Sequence, residues 1–567
     1  MWDICFENSR VSRKARIFSD HFPLFLEAGS FLWGPSPFRF CNSWLVSSDS
    51  NQIIVETVSN SNFQGWAGFI LHEQLRSVKL AVKAWNIAAQ ANVKKKTEKS
   101  LMSKLEKYDS VAELIGLNQE ELNSRAALQA ELLSIYQNEE RNFIQKSKLN
   151  WLSLGDENTG FFHRFLNAKK RRNLITELKN DDGVVSTSFR DIERLVLEFF
   201  ESLYTRIPGD RFIPINSNWS CVSSIQNEAL VTQFSVEEIF KALKALGNNK
   251  APSPDGFTVK FLITQWSIFK DIFKSLMSDF HRNGRLNACI QENFICLVQK
   301  KENVTLVKDF RPISLTTLAY KVVAKVLSER LKQVMDAIIS PTQSAFIEGR
   351  QILDPILIAN EAVEDYRAKR KKGWILKLDL EKAFDRVNWN FLEKNLSLKK
   401  FSSKWISWIM GCLKNPKYSV FINGKPRGRI TTSRGIRQGD PLSPFLFLLV
   451  SEVLGEIINK LHINSQFEGF LVGKDLIHLP LLQFVDDTLL FLFQLPIIYL
   501  GLPLGGYPRQ KSFWQPVIDR IHKKLERWKR YNISRGGRQT LCNSVLVSLP
   551  TYYLLYFLYL KMWLPLC

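Results

Sequence analysis

The segment Leu482-Gln483-Phe484-Val485-Asp486-Asp487-Thr488-Leu489-Leu490-Phe491 constrains this chain more than any other. Two adjacent carboxylates lie between two apolar runs, and burying paired like charges in a hydrophobic segment is costly unless something neutralises them. A β-hairpin with both aspartates at its tip, facing a divalent cation, removes that cost. Asp-Asp is also ordinary turn chemistry, so the pair needs a further carboxylate to mean more. Trp374 to Asp385 supplies one, reading as a strand that ends on Asp379 and then the start of a helix. An acid at the C-terminal end of a strand points into a crevice where ligands bind. Carboxylates from separate elements are what two-metal phosphoryl transfer requires, to grip two ions roughly 3.5–4 Å apart. One ion activates an attacking 3′-hydroxyl, and the other holds a triphosphate and its leaving group. Two Mg2+ ions suit such an open oxygen site, with Mn2+ as a substitute.

Two loops add groups that fit this chemistry. Arg434 to Phe445 carries Gly435, Gly439, Pro441 and Pro444 and leads into an apolar helix expected over Phe445 to Leu454. Glycine there lets the backbone come close to a base or sugar. Asp309 to Leu315 places Arg311 before Pro312, read as a rigid turn, where a guanidinium suits a triphosphate. A structural ion pair would explain Arg311 equally well. Lys300 and Lys301 stand ready to assist.

The charge balance points the same way. The 567 residues include 77 Lys+Arg against 55 Asp+Glu, a formal net charge of +22. A positive field of this size favours polyanions, nucleic acid first among them. Binding to a membrane surface would call for a basic amphipathic helix beside an apolar anchor, and the sequence has no such pair. No run of 18 apolar residues occurs, and the greasy Tyr552 to Leu560 is short and followed by Lys561, so no membrane span is expected. The eight cysteines form no C-x-x-C pair, which argues for reduced, intracellular thiols. Met1 to Asp20 has no apolar core of the kind a secretory signal needs. Leu75, Val78, Val82 and Trp85, then Leu128, Leu132 and Ile135, recur at helical spacing with Lys94-Lys95-Lys96 between them. This stretch, from about Gln74 to Leu152, reads as long charged helices connecting two domains. Asn248 to Gly256, with two prolines and Asp255-Gly256, reads as a fixed turn.

Taken in order, these segments resemble the polymerase domain of reverse transcriptases, and more narrowly those of plant LINE-type (non-LTR) retrotransposons. The matching motifs are Asn248–Gly256, Asp309–Leu315, Gln343–Arg350, Lys377–Asp385, Arg434–Phe445, Phe484–Asp487 and Tyr499–Gly505, together with Trp151–His163. The resemblance implies an α+β right-hand polymerase: fingers over residues 226–370, palm over 371–498 and the start of a thumb over 499–567. A mostly helical basic linker (46–225) would precede it. It implies Asp379, Asp486 and Asp487 as catalytic metal ligands, and Gln438 and Gly439 lining the nucleotide and template pocket beside Lys300 and Arg311. Phe384 matches the position that crowds a ribose 2′-hydroxyl, and a bulky ring beside the catalytic strand would exclude that hydroxyl by shape. The implied partners are an RNA template, a DNA primer and dNTPs. The implied place of action is the nucleus, and no protein partner is inferable. Ser19-Asp20-His21-Phe22-Pro23 resembles the last catalytic motif of the endonuclease that precedes such polymerases. Residues 1–45 would be its C-terminal remnant, with Asp20 and His21 vestigial.

The pattern breaks in one place. Asp487 and Tyr499 are only twelve positions apart, where the family has several dozen residues. Once the second hairpin strand is laid down, the rest is too short for a crossover helix of a dozen or more residues. The palm is therefore expected to lack a helix and its following strand, leaving apolar sheet surface uncovered. Ser253 where glycine is usual, Gln299 where proline is usual and Val485 where alanine is common are smaller departures. Two functions follow as expectations. The first is an RNA-directed DNA polymerase, and the second a catalytically inactive, basic nucleic-acid-binding remnant of such an element. Phe384 argues against an RNA-dependent RNA polymerase, and the endonuclease-like start against an intron-encoded maturase.

Overall fold

The elements that position the site run along the chain as helix α1 (Ala67–Gln90), helix α2 (Phe189–Tyr204), strands β1 (Glu292–Gln299) and β2 (Phe310–Thr316), and helix α3 (Leu318–Ile338). They continue as β3 (Ile375–Asp379), β4 (Lys417–Ile422), β5 (Lys425–Ile430), helix α4 (Ser443–Ile463), β6 (Leu481–Phe484) and β7 (Asp487–Phe491). The computed structural model describes residues 37–90, 93–114, 116–147, 172–206, 220–248, 251–301, 304–371, 373–463 and 469–491, with a few short pieces besides. The segments Trp151–His163 and Ser19–Pro23, and with them Asp20 and His21, lie outside the described residues.

A helix that is apolar on nearly every side belongs in the middle of a core, and α3 is such a helix. Leu318, Tyr320, Val322, Val323, Val326, Leu327, Leu331 and Met335 are all buried. Its start is fixed twice over. Thr317 Oγ1 accepts from the Tyr320 N–H, and the Asp255 carboxylate accepts from the Leu318 N–H at 2.8 Å. Asp255 also accepts from the Phe257 N–H at 3.0 Å, so the Pro-Asp-Gly turn read from the sequence is the N-terminal cap of the central helix.

The main core does not stop at the boundaries expected at residues 45 and 225. Leu71, Leu75, Val78 and Val82, one stripe of α1, are buried in the same apolar cluster as Phe273, Met277 and Phe280 of helix Trp266–Asn283. Phe40 joins that cluster and packs its ring on Phe261 at 4.9 Å. Val93–Leu114 and Gln119–Ser147 form the long charged helices expected, packed against each other as a hairpin. The helix before them is a core element rather than a connector.

Four strands pair in the order β2–β1–β4–β5, with β1 antiparallel to β2 and parallel to β4. Helix α2 covers one face, because Ile192, Val196, Phe200 and Leu203 fall at helical spacing along a single side. They meet Ile295, Tyr418, Val420 and Ile422 in a second core. The close approach requires a glycine: at Gly428, which has φ 61, a Cβ would lie 2.3 Å from Leu197 Cδ2. Register shifts at this point, between Tyr418 and Val420.

The second sheet has the order β6–β7–β3, all antiparallel. Alternate residues of a strand face opposite sides, and both sides here are covered. Leu482, Leu489 and Phe491 pack with Ile356, Ala359 and Val363 of helix Asp354–Ala368. On the opposite face Leu481 and Leu490 pack with Ile458 of α4. The molecule is thus a mixed α/β fold, and among the described residues no helix is long and apolar enough to cross a membrane.

Candidate active site

The three-stranded sheet collects the predicted carboxylates at one end. Strand β3 ends on Asp379, β7 begins on Asp487, and the two are register partners across the ladder. Asp486 occupies the two-residue turn closed by the Phe484–Asp487 pair. The aspartates therefore sit at a hairpin tip and a strand end, as the apolar flanks indicate. The start of a helix expected after Asp379 is absent: residues 381–386 form turns, and the next helix begins at Trp389. Lys382 sits in this stretch at φ 54, a left-handed backbone that a continuous helix does not accommodate.

Burial pushes the Asp486 carboxyl above its ordinary pKa, with Asp487 and Asp379 adding to the rise and Arg311 opposing it. Such a carboxylate cluster favours a cation. One is already near: Lys377 Nζ lies 3.2 Å from Asp487 Oδ1. Two residues before Asp379, Lys377 shares its face of the strand. Among the described residues no three His, Cys, Asp or Glu side chains converge closely enough to hold a metal ion. The chemistry of the donor set nevertheless fits a hard divalent cation, since all three groups are carboxylates from two elements at one sheet end.

Of the other predicted residues, Arg311 lies close enough for its charge to act on Asp486, while several of the rest lie on or against the four-stranded sheet. Arg311 lies within β2, an exposed residue of a strand rather than one before a turn, because the Val298–Arg311 pairing runs through it. Lys300 is exposed, and its backbone N–H bonds to the Asp309 carbonyl at 3.0 Å. Its charge helps hold down the Asp385 carboxyl. Lys301 is engaged with Asp309 at 2.7 Å. The Gln438 carbonyl accepts from the Ser314 N–H at 2.8 Å, which fixes the Arg434–Phe445 loop against β2. Gly439 follows at φ 98, with Ile313 and Ser314 beside it. Phe384 is half-buried, its ring stacked on Phe447 of α4 at 4.8 Å and 10°.

Several residues that sequence reasoning passed over hold these loops. Arg437 is buried and donates to Tyr320 Oη and the Cys412 carbonyl, while Tyr320 donates to Asp440 at 2.7 Å. A charged pair is thus sealed beneath the glycine loop, tying it to α3. Tyr204 of α2 donates to Asp385 at 2.7 Å. Burial pushes the Asp385 carboxyl up to about 6. The Gly435 N–H bonds to Val387 O and the Ile436 N–H to Phe384 O, fastening the segment after Asp379 to the glycine loop. Lys377 alone was within reach of strand periodicity.

Residues 298–495 match the family described as reverse transcriptase (RNA-dependent DNA polymerase). The chain carries a reverse transcriptase domain, and its relatives place that domain with those of non-LTR retrotransposons. An uncharacterized 149 kDa protein of transposon TX1 from Xenopus laevis is 27% identical over 476 residues, 75% of this chain and 36% of that protein. The Pol polyprotein of a type-1 R2 retrotransposable element from Nasonia vitripennis is 30% identical over 42% of this chain and 22% of its own length. The chain thus spans about a third or less of these two relatives. An uncharacterized mitochondrial protein of Arabidopsis thaliana is 44% identical over 72 residues, 12% of this chain and 59% of that protein. Among solved structures, telomerase from Candida albicans aligns with a TM-score of 0.25 at 15% identity, over 46% of this chain and 44% of that one.

Proposed function

We propose that this chain is an RNA-directed DNA polymerase that extends a DNA primer on an RNA template with dNTPs. The observation that carries the reading is the placement of Asp379 and Asp487 as register partners with Asp486 in the adjoining turn. These three would hold the divalent cations, Mg2+ by their hard oxygen chemistry. The cations supply Lewis-acid activation of the 3′-hydroxyl and charge neutralisation at the triphosphate. Arg311 and Lys300 bring positive charge to the same end, suited to the phosphates of an incoming nucleotide. Gln438 and Gly439 offer a backbone close to β2 against which a base pair can rest. Phe384, braced flat on Phe447, presents a rigid edge that a ribose 2′-hydroxyl would strike. Lys377, 3.2 Å from Asp487, offsets part of that carboxylate's charge and would share it with bound cations. A plant LINE-type origin, a fingers–palm–thumb division and a vestigial endonuclease start belong to the same reading.

The test is extension of a DNA primer annealed to RNA, with Mg2+ and dNTPs, beside the Asp486→Asn variant. The expected result is incorporation that the substitution reduces by at least about 100-fold, the scale of losing a group that acts in the transition state. Equal extension by both proteins would refute the assignment of Asp486.

One observation favours the second reading, an inactive nucleic-acid-binding remnant. Among the described strands β3 has no partner on its outer side, and Trp374 just before it and Leu376 within it are 56% and 47% exposed. On the reading that the palm lacks a strand, these exposed apolar side chains would lie where it is missing, although the two faces of the sheet are otherwise packed. Salt-sensitive RNA binding without any extension would support it.

A further inference from the structure

Val485 has φ 58. This is the first central position of the two-residue turn between Phe484 and Asp487, a position that hairpins usually give to glycine. A β-branched residue in the left-handed region is strained, so something outside the turn has to hold it. The holder is on the far side of the hairpin from β3. Segment Thr342–Ser344 lies along the free edge of β6, with the Gln483 N–H bonded to Thr342 O at 2.9 Å and the Ser344 N–H to Gln483 O at 3.1 Å. Between those two bonds the Gln343 side chain, 0% exposed, reaches beneath the turn. Its Oε1 accepts from the Val485 N–H at 3.2 Å and from the Ala345 N–H at 3.2 Å. Its Nε2 faces Ser451 Oγ of α4 at 3.5 Å. The Gln343 backbone is pinned in turn, since Arg350 donates to Gln343 O and Ser340 O at 2.6 Å each.

We propose that Gln343 is a positioning residue: its buried amide clamps the strained Val485 turn and thereby aims Asp486 and Asp487. It touches no substrate and acts through the Val485 N–H. The role rests on the polymerase reading for its consequence in catalysis, but not for the clamp itself. Methionine at 343 keeps the volume and removes the acceptor, while glycine at 485 removes the strain that makes a clamp necessary.

The experiment compares wild type, Gln343→Met, Val485→Gly and the double variant in two ways. Hydrogen exchange of the 483–488 segment is followed by mass spectrometry, and dNTP kinetics are measured in primer extension. For Gln343→Met we expect exchange in that segment about fivefold faster, the size of one lost hydrogen bond. Its kcat should fall by up to about 100-fold with KM for dNTP little changed, as misplacement of reacting groups does. The double variant should recover most of the kcat lost. Unchanged exchange in Gln343→Met would overturn the clamp, as would a kcat loss that Val485→Gly fails to relieve. If wild type shows no extension, the polymerase reading falls and the exchange comparison still decides the clamp.

Discussion

At the residue scale, buried charge is the recurrent device around this site. Asp385 illustrates its cost. The carboxyl is held by Tyr204 yet burial raises its pKa from 3.8 to about 6. A carboxyl raised on folding contributes stability while both states are protonated, and that contribution is lost as pH rises through the folded value. The window therefore runs from just below 4 to just above 6. Over it wild type should lose on the order of 3 kcal/mol relative to Asp385→Asn, since each pH unit between the unfolded and folded values is worth about 1.4 kcal/mol. Denaturant melts of both proteins at several pH values check this. A difference that stays flat across the window would show that Asp385 is not the titrating group. Such a residue is hidden from sequence reasoning for a simple cause. Asp385 closes a motif whose first aspartate and phenylalanine carry the visible signal, and its partner lies 181 positions away. Only the fold brings the two together.

At the element scale, local pattern and tertiary demand agree in some places and part in others. The hairpin around Asp486 was legible because apolar runs on both sides of an acidic pair leave few other arrangements. Of the turn expected over Asn248–Gly256, the part at Pro254–Gly256 was legible because Pro and Asp-Gly fix backbone angles directly; Asn249 and Lys250 lie outside the described residues. The helix expected after Asp379 fails because the chain must there meet the glycine loop, and the bonds from Gly435 and Ile436 hold it in turns. Arg311 departs from expectation for a related reason. Proline after it suggests a turn, but β2 is the outermost described strand of its sheet, where a residue without an N–H is tolerated. Helix α2 falls within the expected linker although its apolar stripe is visible, because a stripe does not name the surface that it covers. That surface is the four-stranded sheet. Phe200→Ala, at a side chain 0% exposed, should therefore cost about 3–5 kcal/mol. Chemical denaturation measures the loss. A cost near that of a surface substitution would mean that α2 rests on the sheet without being built into it.

At the scale of the whole molecule, the charge of +22 is the most general clue and is compatible with the fold and the site. It predicts RNA affinity that falls steeply with salt, since each phosphate contact releases counterions. With six or more contacts the loss between about 50 and 200 mM salt should reach roughly 1,000-fold, readable by fluorescence anisotropy with labelled RNA. Affinity that barely changes over that range would mean that the basic excess is not what meets the nucleic acid. The division into units was the least legible feature, because packing partners far apart in sequence leave no local trace.

That long-distance packing has a consequence for synthesis. The main core joins Phe40 and the α1 stripe to Leu446 and Leu449 of α4. A chain made from its N-terminus cannot complete this core until more than 400 residues have left the ribosome. Loop-closure entropy makes such distant pairings slow to form. Leu71, Leu75, Val78 and Val82 must wait for Phe273, Met277 and Phe280 before they gain that part of their packing, and exposed apolar stripes of this kind invite aggregation. Completion of the core thus depends on residues translated only shortly before the Asp486–Asp487 hairpin.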